Sequence, residues 1–182
     1  LTKAPTMTDI SPPQPGEYAE YYQSYIDCVP DGPFLDSFTA QPDMLRELLA
    51  DLPDGEDNQP HPPYTWTLRQ VLGHLIDVER LFSTRMLIVG VGDKTPIPGM
   101  DQNDYVAGLN YEDVRLTALL DEFAALRAAN VLLASRMQES SFAEVGTASD
   151  CQVSARALLY IMSGHVEYHA VIMKRRVEGV AA

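Results

Sequence analysis

The stretch TWTLRQVLGHLIDVERLFSTRMLIVG, residues 65–90, decides the fold. Leu68, Val71, Leu72, Leu75, Val78, Phe82, Met86 and Val89 recur at steps of three and four, the spacing that puts side chains on one face of an α-helix. Thr67-x-x-Gln70 at its start matches a capping box, in which each of the two side chains satisfies a backbone N–H of the first turn. His74 stands three after Val71 and four before Val78, on or beside the face that must be buried.

The same periodicity appears on either side. Upstream, SPPQPG (11–16), VPDGP (29–33) and DLPDGEDNQPHPP (51–63) mark an extended start and two loops. GEYAEYYQSYIDCV between the first two predicts a short tyrosine-rich helix. FLDSFTAQPDMLRELLADL (34–52) predicts the first bundle helix, on Leu35, Phe38, Met44, Leu45, Leu48 and Leu49, with a turn or kink at Pro42. Downstream, GVGDKTPIPGMDQND (90–104) reads as a long connector. Asn110 is placed to cap a third helix that carries Leu116, Leu119, Leu120, Phe123, Leu126, Asn130, Leu133 and Met137 inward. GTASD breaks the chain, Ser149-x-x-Gln152 offers another cap, and Val153 to Val177 predict the fourth helix. No alternating run bounded by hairpin turns and no repeat is visible. The expectation is an all-α fold: a four-helix bundle with a short additional N-terminal helix and an extended arm. Residues 1–16 form the arm and 17–182 a single domain, which is the usual size for one hydrophobic core.

Composition narrows the function classes. Thirteen basic against 26 acidic residues give a net charge of −13, which disfavours nucleic acid as a partner. Lys174-Arg175-Arg176 reads as the favourable positive end of the last helix. No apolar run reaches the roughly 18 residues of a membrane span. The start LTKAPTMTDISPPQPG has prolines where a secretory signal needs an apolar region, so a cytoplasmic location is expected. Cys28 and Cys151 have no metal-type spacing and are expected to be free.

GHVEYH (164–169) sets His165 and His169 four apart, in phase with Leu158, Ile161, Met162 and Ile172. A pair at this spacing lies on one helical face and can direct two imidazole nitrogens at one ion. A single inward histidine is most often a core residue bonded to a carbonyl or hydroxyl. Three inward histidines on two helices would leave several costly polar atoms to satisfy, and a shared metal satisfies one nitrogen of each. His61, between prolines, reads as an exposed loop residue.

Four segments carry a family resemblance in combination: YTWTLRQVLGHLIDVERL, GDKTPIPGMDQNDYV, LLDEFAALRAANVLL and SARALLYIMSGHVEYHAVIMKRR. Over roughly residues 17–178 the chain resembles the DinB-like superfamily of metal-binding four-helix bundles, related to bacillithiol and mycothiol S-transferases. HxxxH alone would be unselective. A tryptophan-led helix with HL-x-D-x-E, followed later by GH-x-x-YH, is far more so. The resemblance implies that His74, His165 and His169 bind a divalent metal with further positions left to water or substrate, and that the protein is a homodimer. The family name refers to damage-inducible expression and carries no implication of DNA binding.

Three neutral nitrogen ligands with an open position are the pattern of catalytic zinc, and nickel is an equal candidate, with iron or manganese compatible with three imidazoles. Such an ion lowers the pKa of bound water or holds a thiol as thiolate. The expected function is a metal-dependent thiol S-transferase or hydrolase acting on a small molecule, with a low-molecular-weight thiol as candidate substrate. The alternative is a non-enzymatic metal-binding or structural dimerisation bundle. Leu72, Ile161 and Met162 are expected around the ion, and Asp77 is a candidate acceptor for an imidazole N–H. Glu167 reads as solvated or interhelical. Asp101 and Asp104 stand where they could approach the site from its mouth, though each is more often a turn or cap residue. Arg127 is either an internal ion-pair partner or an anion clamp. Cys151 at a helix start is assigned no role.

Overall fold

The computed structural model describes residues 10–180. A 3-10 turn (Glu20–Tyr22) leads into α1 (Gln23–Ile26); α2 (Phe34–Leu48), α3 (Leu68–Gly90), α5 (Leu116–Arg136) and α6 (Ala155–Val180) form the bundle, and a short α4 (Gln102–Gly108) lies before α5. Among the described residues no helix is long and apolar enough to cross a membrane.

α3 begins as expected. The Thr67 hydroxyl accepts from the Gln70 N–H at 3.1 Å, and the Gln70 side chain accepts from the Thr67 N–H at 2.9 Å. Its apolar face packs on α6 and α5. The core has two lobes along the bundle, one around Phe38, Phe82, Met86 and Leu158, the other around Leu45, Leu72, Leu75, Phe123 and Val166. Burial of these side chains, at about 1.5–3 kcal/mol each, is what holds the helices together.

Pro42 lies inside α2 without ending it. A proline at this position cannot donate to the Phe38 carbonyl one turn back. Nη1 of Arg127 donates to that carbonyl instead, at 3.3 Å. The same guanidinium donates to Gln41 Oε1 at 2.7 Å and forms an ion pair with Glu79, Nε to Oε1 at 2.9 Å. Asn130 donates to Glu79 at 2.8 Å, while Gln41 donates to the Ser163 carbonyl at 2.9 Å and to Glu167 at 2.7 Å. Side chains from all four bundle helices meet here, so Arg127 is an internal ion-pair residue and Glu167 an interhelical one.

Four local expectations need correction. The third helix starts at Leu116, not after Asn110. Asn110 instead closes a local turn with Asp113, through which Tyr111 is turned into the core against Gly73. The connector at 90–104 is not wholly irregular, since Asp101 accepts from the Asn103 N–H at 2.8 Å and starts α4. The segment from 145 is a two-stranded antiparallel hairpin, β1 (Val145–Ala148) and β2 (Cys151–Ser154), with Val145 opposite Ser154 and Ala148 opposite Cys151. Ser149 and Asp150 at its turn have φ of 53° and 60°, the left-handed pair that a two-residue hairpin turn requires. The last helix therefore starts at Ala155, where the Ser154 hydroxyl accepts from the Ala157 N–H at 3.1 Å.

The N-terminal arm is packed where it is described. Ile10 is buried and its carbonyl accepts from the Tyr160 hydroxyl at 2.9 Å. Glu17 forms an ion pair with Arg156 and accepts from the Ser154 hydroxyl at 2.8 Å. Residues 1–9 of the expected arm lie outside the described residues. Arg176 is buried rather than solvated at the helix end; it donates to the Trp66 carbonyl at 2.9 Å and to His61 Nδ1 at 3.3 Å. His61 is accordingly not an exposed loop residue, and its Nε2 lies 3.2 Å from Glu56.

Candidate metal centre

α3 and α6 pack along their length, and this places His74 opposite the His165/His169 pair. The three Nε2 atoms converge: His165 Nε2 is 3.1 Å from His74 Nε2 and 3.1 Å from His169 Nε2. His74 and His165 are buried, and His169 is partly so. Ring centroids lie 4.9, 5.2 and 4.5 Å apart, edge to face.

This arrangement is poorly served by hydrogen bonds. His165 Nε2 has either one N–H or one lone pair, and either serves only one of two close nitrogens. A cation shared by three lone pairs removes the conflict, because nitrogens bound at about 2.0–2.1 Å to one ion stand roughly 3.0–3.4 Å apart. The two separations of 3.1 Å from His165 fit. The rings are also held in the neutral form that a ligand needs. Burial pushes His74 down to about 4. Burial and the proximity of His74 push His169 down to about 3. Burial, then His169 and His74, hold His165 well below its ordinary value.

The surroundings fix the geometry. Gly164 precedes the pair, and the Tyr25 carbonyl oxygen lies 1.8 Å from where a Cβ would be, so only glycine lets α1 approach this closely. That approach sets the Tyr25 ring edge-on to His165 at 5.1 Å and to Tyr168 at 5.2 Å. Trp66, just before the α3 cap, lies 5.2 Å from His74. A cavity of about 370 Å³ opens on His74 and His165, walled by Tyr22, Tyr25, Val78, Phe82, Ile161 and Arg85, with Asp101 at its edge.

The site thus brings together His74, His165 and His169, and leaves His61 apart with Glu56 and Arg176. Asp77 does not meet an imidazole. It accepts a short hydrogen bond from the Tyr111 hydroxyl, and burial raises its carboxyl above the ordinary range, an effect that bond only partly offsets. His74 Nδ1 is buried with no partner among the described residues. Of the two loop acids, Asp101 borders the cavity while engaged as the α4 cap, and Asp104 is exposed. Ile161 lines the cavity, whereas Leu72 and Met162 are buried in the core. Cys151 is exposed, and both cysteines are free.

Sequence reasoning missed the cavity's tyrosine wall and Arg85. The tyrosine cluster was visible as composition, but its contact with His165 depends on a loop path that no periodicity encodes. Arg85 lies eleven residues after His74, three helical turns on, and that spacing was a usable signal.

Known proteins share the family profile and the fold of this chain. Residues 37–173 match the sequence profile of the DinB superfamily. The fold is similar to YfiT from Bacillus subtilis, described as "a probable metal-dependent hydrolase with an unusual four-helix bundle topology": TM-score 0.68 at 16% identity, covering 91% of this chain and 93% of that one. No match was found among curated proteins.

Proposed function

The chain belongs to the DinB superfamily, and from that premise we propose that it is a metal-dependent catalyst acting on a small molecule, with His74, His165 and His169 holding one divalent cation. The convergence of three Nε2 atoms beside an open cavity lined by His74 and His165 carries this reading. Zinc and nickel suit three imidazoles best, and iron and manganese also fit the donor set. When bound, such an ion supplies Lewis acidity that ionises a thiol or a water near neutral pH.

The chain's own residues define the remaining chemistry. Tyr25 and Trp66 pack against the histidine rings and hold their orientation. Val78, Phe82 and Ile161 present apolar walls that limit competing water. Asp101, the one carboxylate among the cavity-lining residues, stands at the cavity's edge and accepts from the Asn103 N–H through Oδ1. A low-molecular-weight thiol, with a free pKa of about 8.5, releases its proton to such an ion more readily than water does. Thiol S-transfer is therefore the first reading. Hydrolysis is the second, favoured by the description of YfiT.

Zinc-loaded and metal-stripped protein should be compared with glutathione, cysteine, bacillithiol and mycothiol against a bimane or chlorinated aromatic acceptor. The expected result is turnover with at least one thiol that disappears on stripping. Metal-dependent ester cleavage without thiol turnover would select the hydrolase. Equal rates with and without metal would contradict the catalytic role of the site, and silence in both assays would leave a non-enzymatic metal-binding bundle.

A further inference from the structure

The cavity that opens on His74 and His165 has a second end. On α3, His74, Val78, Phe82 and Arg85 follow at steps of four, four and three, which puts them on one face, and all four line the cavity. At about 1.5 Å of rise per residue, the α-carbons of His74 and Arg85 stand roughly 16 Å apart. Between them the wall is apolar and aromatic, with Ile161 and Met100 facing the same space.

Arg85 is 2% exposed and forms no ion pair among the described residues. Its Nη2 donates to two neutral oxygens, the Pro98 carbonyl at 2.8 Å and the Ser149 hydroxyl at 3.1 Å. Its Nε is buried with no hydrogen-bond partner. Arg127, another buried arginine of the bundle, faces the Glu79 carboxylate. A buried cation without a counter-charge is costly, and the cost is met when an anion arrives. The hairpin turn at Ser149 and the connector at Pro98 hold the guanidinium in place without neutralising it.

We propose that Arg85 receives the carboxylate of a small-molecule substrate whose reacting bond lies at the histidine end of the cavity. The inference rests on the metal-dependent reading above and specifies its substrate: an elongated molecule with one acidic terminus and an apolar spacer. A single guanidinium matches one negative charge. A phosphate dianion would be disfavoured by Asp101 at the cavity's edge and by the chain's net charge of −13.

The test is binding, read from the single tryptophan, Trp66, which lies 5.2 Å from His74. Suberic acid monohydroxamate carries a metal-binding hydroxamate at one end and a carboxylate at the other; its terminal primary amide is the neutral counterpart. Zinc-loaded wild-type protein should bind the acid at least about tenfold more tightly than the amide, as expected for a charge-assisted contact in a buried site. Arg85→Met should bring the two within about threefold of each other while the affinity for the amide stays within about threefold of wild type; Arg85→Lys should retain part of the preference. Equal affinities in the wild type would overturn the role of Arg85 while leaving the metal site standing, and that comparison requires no variant to fold. A preference that persists in Arg85→Met would overturn it as well. If neither hydroxamate bound the zinc-loaded protein, the metal-dependent reading itself would fail and this inference with it.

Discussion

Replacing Arg127 by methionine should be among the most damaging single substitutions in the bundle. Arg127 is 1% exposed, and its removal strips Glu79, itself 2% exposed, of its counter-charge. It also leaves the Phe38 carbonyl, already deprived of its helical donor by Pro42, and Gln41 Oε1 without the guanidinium. Breaking a buried ion pair from one side costs about 3–5 kcal/mol. At roughly 2–4 °C per kcal/mol for a domain of this size, the melting temperature should fall by about 6–20 °C. The assay is urea unfolding followed by far-ultraviolet circular dichroism for wild type, R127M, E79M and the double variant. Because most of the penalty is the charge left behind, the double variant should recover at least about 2 kcal/mol of the sum of the singles. An R127M cost below about 1 kcal/mol, or singles that add within about 0.5 kcal/mol, would refute the argument.

Glu17→Gln should lower stability by about 1–3 kcal/mol at pH 7. Burial raises the Glu17 carboxyl, but hydrogen bonds from Arg156 and Ser154 and the Arg156 charge more than offset it, leaving it below its ordinary value of 4.5. The stabilisation is therefore present above that value and is lost as pH falls through the folded pKa, so the gap between variant and wild type in denaturant titrations should close in acid. A gap that is unchanged at low pH would rule out the ion pair as its source. Gly164→Ala places a Cβ 1.8 Å from the Tyr25 carbonyl oxygen. Alanine is the better helix former by about 1 kcal/mol, yet overpacking against backbone should leave a net loss of about 1–3 kcal/mol and weaker zinc binding as Tyr25 is displaced from His165. Unchanged stability and zinc affinity would show that α1 does not depend on this contact.

The bundle helices were legible because each buries an apolar stripe of helical period, and α3 even announced its own start through Thr67 and Gln70. His74, His165 and His169 were legible for the same reason: they stand in phase with those stripes. Arg127 and Glu79 share that phase, and a polar residue on an apolar face was the available sign of the buried network. Features fixed by tertiary contact were not legible. Asn110 has a good capping side chain, but burying Tyr111 against Gly73 turns the chain away before a helix can start. The hairpin escaped because its strands have four residues each and its left-handed turn is Ser149-Asp150 rather than a glycine-bearing pair. The place of His61 is not legible, because nothing local reveals that Arg176, at the far end of the chain, folds back onto it.

Calorimetric titration of zinc into untagged, metal-stripped protein shows whether the three histidines hold one ion. One ion per chain is expected for the wild type and for His61→Ala. Loss of a supporting partner already costs roughly 10–100-fold in metal affinity, so loss of a ligand should cost at least about a hundredfold in each of His74→Ala, His165→Ala and His169→Ala. Wild-type affinity in any of these three would remove that residue from the site, and no saturable binding by the wild type would contradict the account as a whole.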